Sequence, residues 1–374
     1  MTDSYIAPHR TSPDNVIHGV PDLRLPLAPS NRVSGDAGFG QSAPGFLATD
    51  AGIVVTRRGT IGLFSTDLAT ELWSHEVVGW SNDDIAIGDE VWYGVVDRHV
   101  HCFSLRNGEL IDSFDYDGGR IVGAEARTCI ISRAEHLQGV DWSGQTLWNA
   151  EIAPSGLKAH FGGRLYASAL DPFRRALLCI SALTGEVLWR ATLPTEGTGD
   201  AAMMSGTVGP VAATTDRVLV IPSDGRRLIV LAAESGEIES IERLPALPAR
   251  GHFVVTEKEV VLFHPFMLSF FDHREMKETR RLELRDEVQP LYGDHPPIAH
   301  AFCLAQNAVI WTTPHGAFMG IHLEPEPDGR RITWVEELPG ALMPVVVPPV
   351  VHDGRMYYTN MGEPLELMCY VSGR

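Results

Sequence analysis

The sequence predicts an all-β protein, an eight-bladed β-propeller whose blades are four-stranded antiparallel sheets. Two observations predict this fold. A short phrase, in which an apolar strand runs into a turn and a second strand follows, returns at intervals close to the length of a propeller blade. Short β-branched or aromatic runs bounded by Gly, Asp, Asn and Pro also recur along the chain, and no long stretch has the 3.6-residue period of a helix.

The repeated phrase is clearest over residues 178–189, and fainter copies lie at 100–111, 139–148 and 229–238. One type of apolar strand can be followed along the whole chain. Its eight copies lie at residues 52–56, 91–96, 129–132, 165–168, 218–221, 260–263, 309–312 and 356–359. Eight units of four strands each predict eight blades.

The last predicted strand, residues 367–371, is the third of its blade. Residues 22–29 resemble the outer strand at 187–194, so we expect Leu23 to Leu27 to supply the missing fourth strand and to tie the two ends of the chain together. Residues 1–19 are expected to form a flexible tail, and residues 20–374 a single propeller domain.

Composition excludes several classes of partner. The net charge of −18 argues against non-specific binding to nucleic acid or to anionic membranes. The N-terminus lacks the apolar segment of a secretory signal, and no stretch approaches the roughly 18 apolar residues of a membrane span, so a cytoplasmic location is expected. The five cysteines lie singly inside apolar strands, which favours buried thiols over disulfides or metal ligands.

The turn glycine and the tryptophan that follows it carry a family resemblance. The pattern of a small residue, Thr, Gly, three variable residues and Trp resembles the repeat of propellers of the pyrroloquinoline-quinone type, over about residues 50–371. It is good at Thr184 to Trp189 and at Gly144 to Trp148, and partial at Gly108 and Gly236, where no Trp follows. In such a repeat the Gly takes a turn position with positive φ and the Trp wedges between adjacent blades, so the motif carries structure.

The resemblance also bears on cofactors. Quinone-dependent alcohol dehydrogenases of this fold are longer and hold the cofactor beneath a vicinal disulfide, whereas this chain has no adjacent cysteine pair. The eight-bladed outer-membrane-assembly lipoprotein is closer to this chain in length. No His-Glu-x-x-His motif, phosphate-binding loop, dinucleotide fingerprint or nucleophile elbow is present. We therefore expect neither a cofactor nor a metal.

The loops between the second and third strands of a propeller gather on one face, around the central funnel. Seven of the eight loops in this chain contain Arg or His, which predicts a funnel that attracts carboxylate or phosphate groups. The alternative interpretation is that these side chains point outward into solvent. The candidate ligand-binding residues are Arg57, Arg98, His99, Arg133, His136, Arg174, Arg175, Arg226, His264 and His315.

Two histidines occupy similar places at the starts of inner strands in neighbouring blades. His252 and His300 would line the channel, with His160 as a looser match, and could bind a metal or serve as acid and base. Hydrogen-bonded channel histidines without a catalytic role are the alternative interpretation.

Two functions follow from these residues. The first is a cytosolic binding or scaffold propeller that recognises a protein, peptide or anionic ligand at the funnel face, with no nucleic-acid or membrane partner. The second is a cofactor-independent lyase, isomerase or cyclase of specialised metabolism that uses His252 and His300 on a small anionic substrate. The absence of a recognisable catalytic motif favours the first.

Overall fold

A computed structural model gives the structure of the chain. It describes residues 27–34, 45–57, 60–77, 81–87, 90–95, 99–115, 118–133, 135–153, 156–171, 175–198, 205–246, 253–256, 258–264, 266–292, 302–305, 307–312, 317–325, 327, 329, 331, 333–337, 349–360 and 366–373. These residues form eight antiparallel sheets of four strands each, here called blades one to eight.

The strands of blades one to four follow one another along the chain. Blade one contains β2 (Gly45–Thr49), β3 (Gly52–Arg57), β4 (Thr60–Phe64) and β5 (Glu71–Glu76). Blade two contains β6 (Ser81–Ile87), β7 (Glu90–Val95), β8 (His99–Ser104) and β9 (Leu110–Asp115). Blade three contains β10 (Arg120–Glu125), β11 (Thr128–Ser132), β12 (His136–Val140) and β13 (Thr146–Glu151). Blade four contains β14 (Leu157–Phe161), β15 (Arg164–Ser168), β16 (Ala176–Ser181) and β17 (Val187–Thr192).

Blades five to eight continue the pattern. Blade five contains β18 (Val211–Ala213), β19 (Arg217–Val220), β20 (Arg227–Ala232) and β21 (Ile238–Arg243). Blade six contains β22 (Phe253–Val255), β23 (Glu259–His264), β24 (Met267–Asp272) and β25 (Glu278–Glu283), and helix α1 (Arg285–Tyr292) follows it. Blade seven contains β26 (Phe302–Leu304), β27 (Ala308–Thr312), β28 (Ala317–His322) and β29 (Thr333–Glu337). Blade eight contains β30 (Val350–His352), β31 (Arg355–Asn360), β32 (Glu366–Ser372) and, beside β32, β1 (Leu27–Ser34).

The predicted all-β propeller with eight four-stranded blades is therefore confirmed. Each of the eight apolar strands followed through the sequence is the second strand of its blade, within a residue or two of the predicted bounds. These second strands are buried along almost their whole length, as in β3, where the first five residues are buried. A strand that is covered on both faces has a continuous apolar run, which is why the sequence shows these strands so clearly.

The N-terminal strand differs from the prediction in its position. The fourth strand of blade eight is β1, which pairs antiparallel with β32 from Leu27 opposite Ser372 to Ser34 opposite Glu366. The predicted strand, Leu23 to Leu27, shares only Leu27 with it, and residues 23–26 lie outside the described part of the chain. An irregularity between Pro29 and Arg32 interrupts the two-residue alternation of β1, so its pattern is weak in the sequence.

By its internal contacts the described chain divides into two compact units. The first contains Thr49–Leu63 and Glu71–Pro245, and so holds blades two to five. The second contains the described residues of Asn15–Ala48, which include β1, together with Phe64–Thr70 and Ala246–Arg374, and holds blades six to eight. In each unit the buried side chains lie between neighbouring blades. In the first unit, one cluster joins blades three and four through Leu137, Trp148 and Leu178, among others. The predicted tail (residues 1–19) and single domain (20–374) stay predictions.

Among the described residues there is no helix with the length and apolar character that crossing a bilayer requires.

Candidate functional site

The turns between the third and fourth strands are used for packing between blades. In the first unit, four turn glycines with φ between 69° and 79° each lie against an aromatic ring of the preceding blade. A Cβ atom on any of them would come within 2.7 Å of that ring. The pairs are Gly108 with Trp73, Gly144 with Phe114, Gly185 with Trp148, and Gly236 with Trp189.

These pairs show why the tryptophan pattern is incomplete. After Gly108, Phe114 takes the role that Trp has in the other blades. It lies two residues beyond the position expected for Trp and therefore on the same face of the outer strand. Trp189 also donates a hydrogen bond from Nε1 to the carbonyl oxygen of Ala233 on the next blade, at 2.9 Å. The motif is structural, as expected, and it occupies one end of these blades.

The predicted ligand-binding residues belong to the opposite end. In a four-stranded antiparallel blade, the hairpin between the second and third strands lies at the end away from the other two turns. The described candidates all lie at or beside these hairpins: Arg57, His99, Arg133, His136, Arg175, Arg226 and His264. Arg98, Arg174 and His315 lie outside the described residues, as do His252 and His300.

Several of these cations contact groups on their own blade. The Arg57 guanidinium lies 3.4 Å from the Glu71 carboxylate, and His99 Nδ1 lies 2.6 Å from Asp115 Oδ1. Arg133 Nε donates a hydrogen bond to Gln138 Oε1 at 3.1 Å. The two carboxylates, Glu71 and Asp115, reduce the excess of positive charge that the sequence predicts at the hairpins.

Two adjacent arginines of blade five have different surroundings. Arg226 is exposed, and its backbone N–H donates to Asp224 Oδ1 at 3.2 Å. Arg227, which was not among the candidates, is only 2% exposed and donates from Nη2 to the carbonyl oxygens of Pro194 and Ser205, at 3.0 and 2.6 Å. Arg227 therefore fixes the connection that enters blade five. Its place as the first residue of an apolar strand is the signal that could have identified it.

His264, the last residue of β23, is 1% exposed, so its imidazole is covered by protein rather than presented to solvent. This burial distinguishes it from the exposed Arg226 and the half-exposed His99.

A groove of about 530 Å³ lies at the hairpin end of blades three and four. It contains the predicted residue His136, whose register partner on β13 is Glu151. The remaining lining residues are Glu135, Asn149, Ala150 and Leu170. The charged side chains of this lining are both carboxylates, so here the charge is opposite to the predicted one. Glu135 is in the same loop as the predicted Arg133 and His136, whereas Glu151 reaches the groove from the end of β13, which a prediction based on the loops between second and third strands did not include.

His160, the looser channel candidate, contacts a carboxylate. Its ring is fully buried on β14, and Nε2 lies 3.3 Å from Glu125 Oε2 on β10, the first strand of the preceding blade. A Cβ atom at Gly123 would lie 2.8 Å from His160 Nδ1, so the absence of a side chain there makes room for the ring. The contact joins two neighbouring blades of the first unit.

Burial makes the thiols of Cys102 and Cys179 poor nucleophiles. Burial, with a smaller contribution from Glu90, raises the pKa of the Cys102 thiol to about 12, and burial raises that of Cys179 to about 11. In the part of the chain that the structure describes, no three His, Cys, Asp or Glu side chains are grouped to hold a metal ion.

The comparisons with known proteins agree with the fold. Residues 133–262 match the family model described as outer membrane protein assembly factor BamB. No curated protein sequence matches the chain.

Similar solved structures include BamB from Moraxella catarrhalis, with a TM-score of 0.60 and 11% identity over 92% of this chain and 99% of that one. The C-terminal WD40 domain of Sif2 has a TM-score of 0.60 and 8% identity, over 95% of this chain and 100% of that one. A europium-containing methanol dehydrogenase has a TM-score of 0.58 and 9% identity, over 92% and 93%. Identities this low show the fold alone. The strand pairing identifies the chain as an eight-bladed β-propeller, and the match over residues 133–262 shows that this part is similar to the BamB family model.

Proposed function

We propose that the protein is a non-enzymatic propeller that binds a protein partner. The partner docks on the end of the blades at which the hairpins between second and third strands lie. The observation that carries this proposal is the difference between the two ends of blades two to five. One end is used by turn glycines packed on aromatic rings, whereas the other presents the 530 Å³ groove and the exposed Arg226. Polar loops on a rigid scaffold are common binding surfaces.

The comparisons support a binding role in a general way. The matched family model has the name of an assembly factor, which describes a protein that acts on other proteins. The fold by itself does not choose between functions, because the similar structures include a dehydrogenase and a WD40 domain. The proposal therefore depends on the surface at the hairpins.

A capture experiment with two matched variants tests the proposal. Tagged wild-type protein is compared with Arg226→Glu, at the hairpin end, and with Arg106→Glu, an exposed arginine in the turn at the other end of blade two. We expect Arg226 to lie opposite an acidic group of the partner, so a glutamate at this position would place two negative charges together. We expect Arg226→Glu to reduce the yield of a specifically bound protein at least about fivefold, with Arg106→Glu unchanged. Equal yields from all three proteins, or no bound protein, would contradict the proposal.

The proposed location is the cytoplasm, where a reducing environment suits Cys102, Cys179 and Cys369, which are buried thiols. Cell fractionation against a cytoplasmic and an envelope marker tests this location. Recovery with the envelope marker would contradict it.

A further inference from the structure

We propose that the groove between blades three and four binds a basic segment of a protein partner, through a Lys or Arg side chain seated between Glu135 and Glu151. This inference rests on the proposed binding function and names the chemistry of the partner. The sequence predicts an anionic ligand at the hairpins, whereas the groove is proposed to bind a cationic group.

The walls of the groove are held by regular structure. On β12 and β13, His136 lies opposite Glu151, Leu137 opposite Ala150, and Gln138 opposite Asn149. Leu137, Ala150 and Ile152 are buried against blade four. Because side chains alternate along a strand, Asn149 and Glu151 are directed away from that core and are exposed.

Blade four supplies the opposite wall. Leu170 follows β15 and is 48% exposed. Its position is fixed by backbone hydrogen bonds on both sides of it, from Ala169 N to Ala176 O at 2.8 Å and from Asp171 N to Ala169 O at 2.9 Å. The groove therefore has an apolar wall that is ordered before any partner binds.

Within the described part of the chain, no ion pair balances the charge of the groove's two carboxylates. Neither Glu135 nor Glu151 has an ion-pair partner among the residues that the structure describes, in contrast to Asp115 at the hairpin end of blade two. Arg133 lies next to the groove in sequence, but its Nε donates to Gln138. Arg190 of blade four lies 3.9 Å from Asp171. Two unpaired carboxylates in one groove attract a cation.

A basic peptide segment fits this combination better than a small ion. The volume of about 530 Å³ is within the range of sites that hold organic groups, and exceeds what one metal ion fills. The methylene stem of a Lys or Arg side chain packs on an apolar surface such as Leu170 while its charged end reaches a carboxylate. Asn149 and His136 add polar groups for the peptide backbone. The net charge of −18 also speeds the approach of a basic partner.

A titration of a defined peptide tests the inference. The probe is a fluorescein-labelled ten-residue peptide of alternating lysine and alanine, measured by fluorescence anisotropy at about 150 mM salt, where the Debye length is about 8 Å. The groove variant E135Q/E151Q is compared with E186Q/E237Q, which removes two exposed carboxylates from the turns between third and fourth strands. Both variants change the net charge equally, so general attraction weakens equally in both.

We expect the dissociation constant to rise at least about fivefold in E135Q/E151Q and by less than about twofold in E186Q/E237Q, since exposed ion pairs contribute roughly 0.2–1 kcal/mol each. Leu170→Ser, which removes the apolar wall without changing charge, should also weaken binding. Equal weakening in the two double variants would overturn the inference, as would unchanged binding in Leu170→Ser. Spermidine that displaces the peptide at a lower concentration than an unlabelled copy of the peptide would overturn the assignment to a protein segment.

The test separates this inference from the proposed function. If Arg226→Glu loses a captured partner that E135Q/E151Q retains, the groove is not the binding site for a basic segment. The proposed binding function is then still supported. Specific binding of the peptide to the groove, in a protein that captures no partner, supports the groove and contradicts the proposed function.

Discussion

At the scale of single residues, neighbours in the sequence have different roles because strand geometry separates them. Arg226 and Arg227 are indistinguishable as a cationic pair in the sequence, but one is exposed and the other is covered. The sequence predicts that cations occur at the hairpins. Which of these cations is exposed to solvent depends on the residue at which each strand begins. That residue is known only from the pairing of the strands in the structure.

Replacing the covered arginine should be costly. Arg227→Ala leaves the carbonyl oxygens of Pro194 and Ser205 without their donor, so we expect the free energy of unfolding to fall by about 3 kcal/mol. Arg226→Ala should change it by less than about 0.5 kcal/mol, because its side chain is exposed. Urea denaturation measures both. Equal effects would mean that Arg227 does not hold the connection into blade five.

The turn glycines offer a second test with a matched control. Gly185→Ala places a Cβ atom 2.6 Å from the Trp148 ring at a φ of 69°, so we expect a loss of stability of about 3 kcal/mol. Gly162→Ala has a similar φ of 57° but meets no atom within 4 Å, and should cost only about 1 kcal/mol. Thermal unfolding of the two variants distinguishes them. Similar melting temperatures would show that the glycine–ring contact is unimportant.

At the scale of elements, β5 and β8 bring imidazoles and aromatic rings together between blades one and two. The His75 ring stacks on Phe103 with centroids 5.3 Å apart, and His101 lies 6.1 Å from both Phe103 and His99. His101 Nε2 is buried without a hydrogen-bond partner among the described residues. His99, His101 and Phe103 lie on one face of β8 because side chains alternate along a strand. The sequence does not show that β5 packs against this face.

This cluster should make stability depend on pH. Burial, with a smaller contribution from His99, holds the pKa of His101 below its usual value of 6.5. The unfolded chain therefore binds a proton more readily than the folded one, and stability falls as the pH drops below about 6.5. We expect the melting temperature of His101→Phe to fall less than that of the wild type between pH 7.5 and 5.5. An identical fall in both would exclude His101 as a source of acid sensitivity.

The N-terminal strand can be tested at the same scale. Deleting residues 1–34 removes β1 and uncovers β32, including the buried Leu367 and Tyr370. Deleting residues 1–26 keeps β1 and is the control. We expect the longer deletion to lower the melting temperature by at least about 5 °C more than the shorter one, because an edge strand with buried side chains is lost. Equal melting temperatures would show that β1 does not stabilise blade eight.

At the scale of the whole molecule, the repeat could be predicted from the sequence because blade cores depend on periodic apolar strands. The eight second strands, from β3 to β31, were recognised by their continuous apolar runs. The candidate site could be predicted only in part. His136 was correctly placed beside a hairpin, but Glu151 reaches the same groove from a different strand and Leu170 from a different blade, and no spacing in the sequence relates them.

The most direct measurement of the central claim is site-specific photocross-linking in living cells. A photoreactive phenylalanine derivative is placed at Arg226, at the hairpin end, or at Arg106, at the opposite end of the blades. We expect a cross-linked protein product from position 226 and none from position 106. Cross-links from position 106 alone, or equally from both, would contradict a partner that docks on the hairpin end.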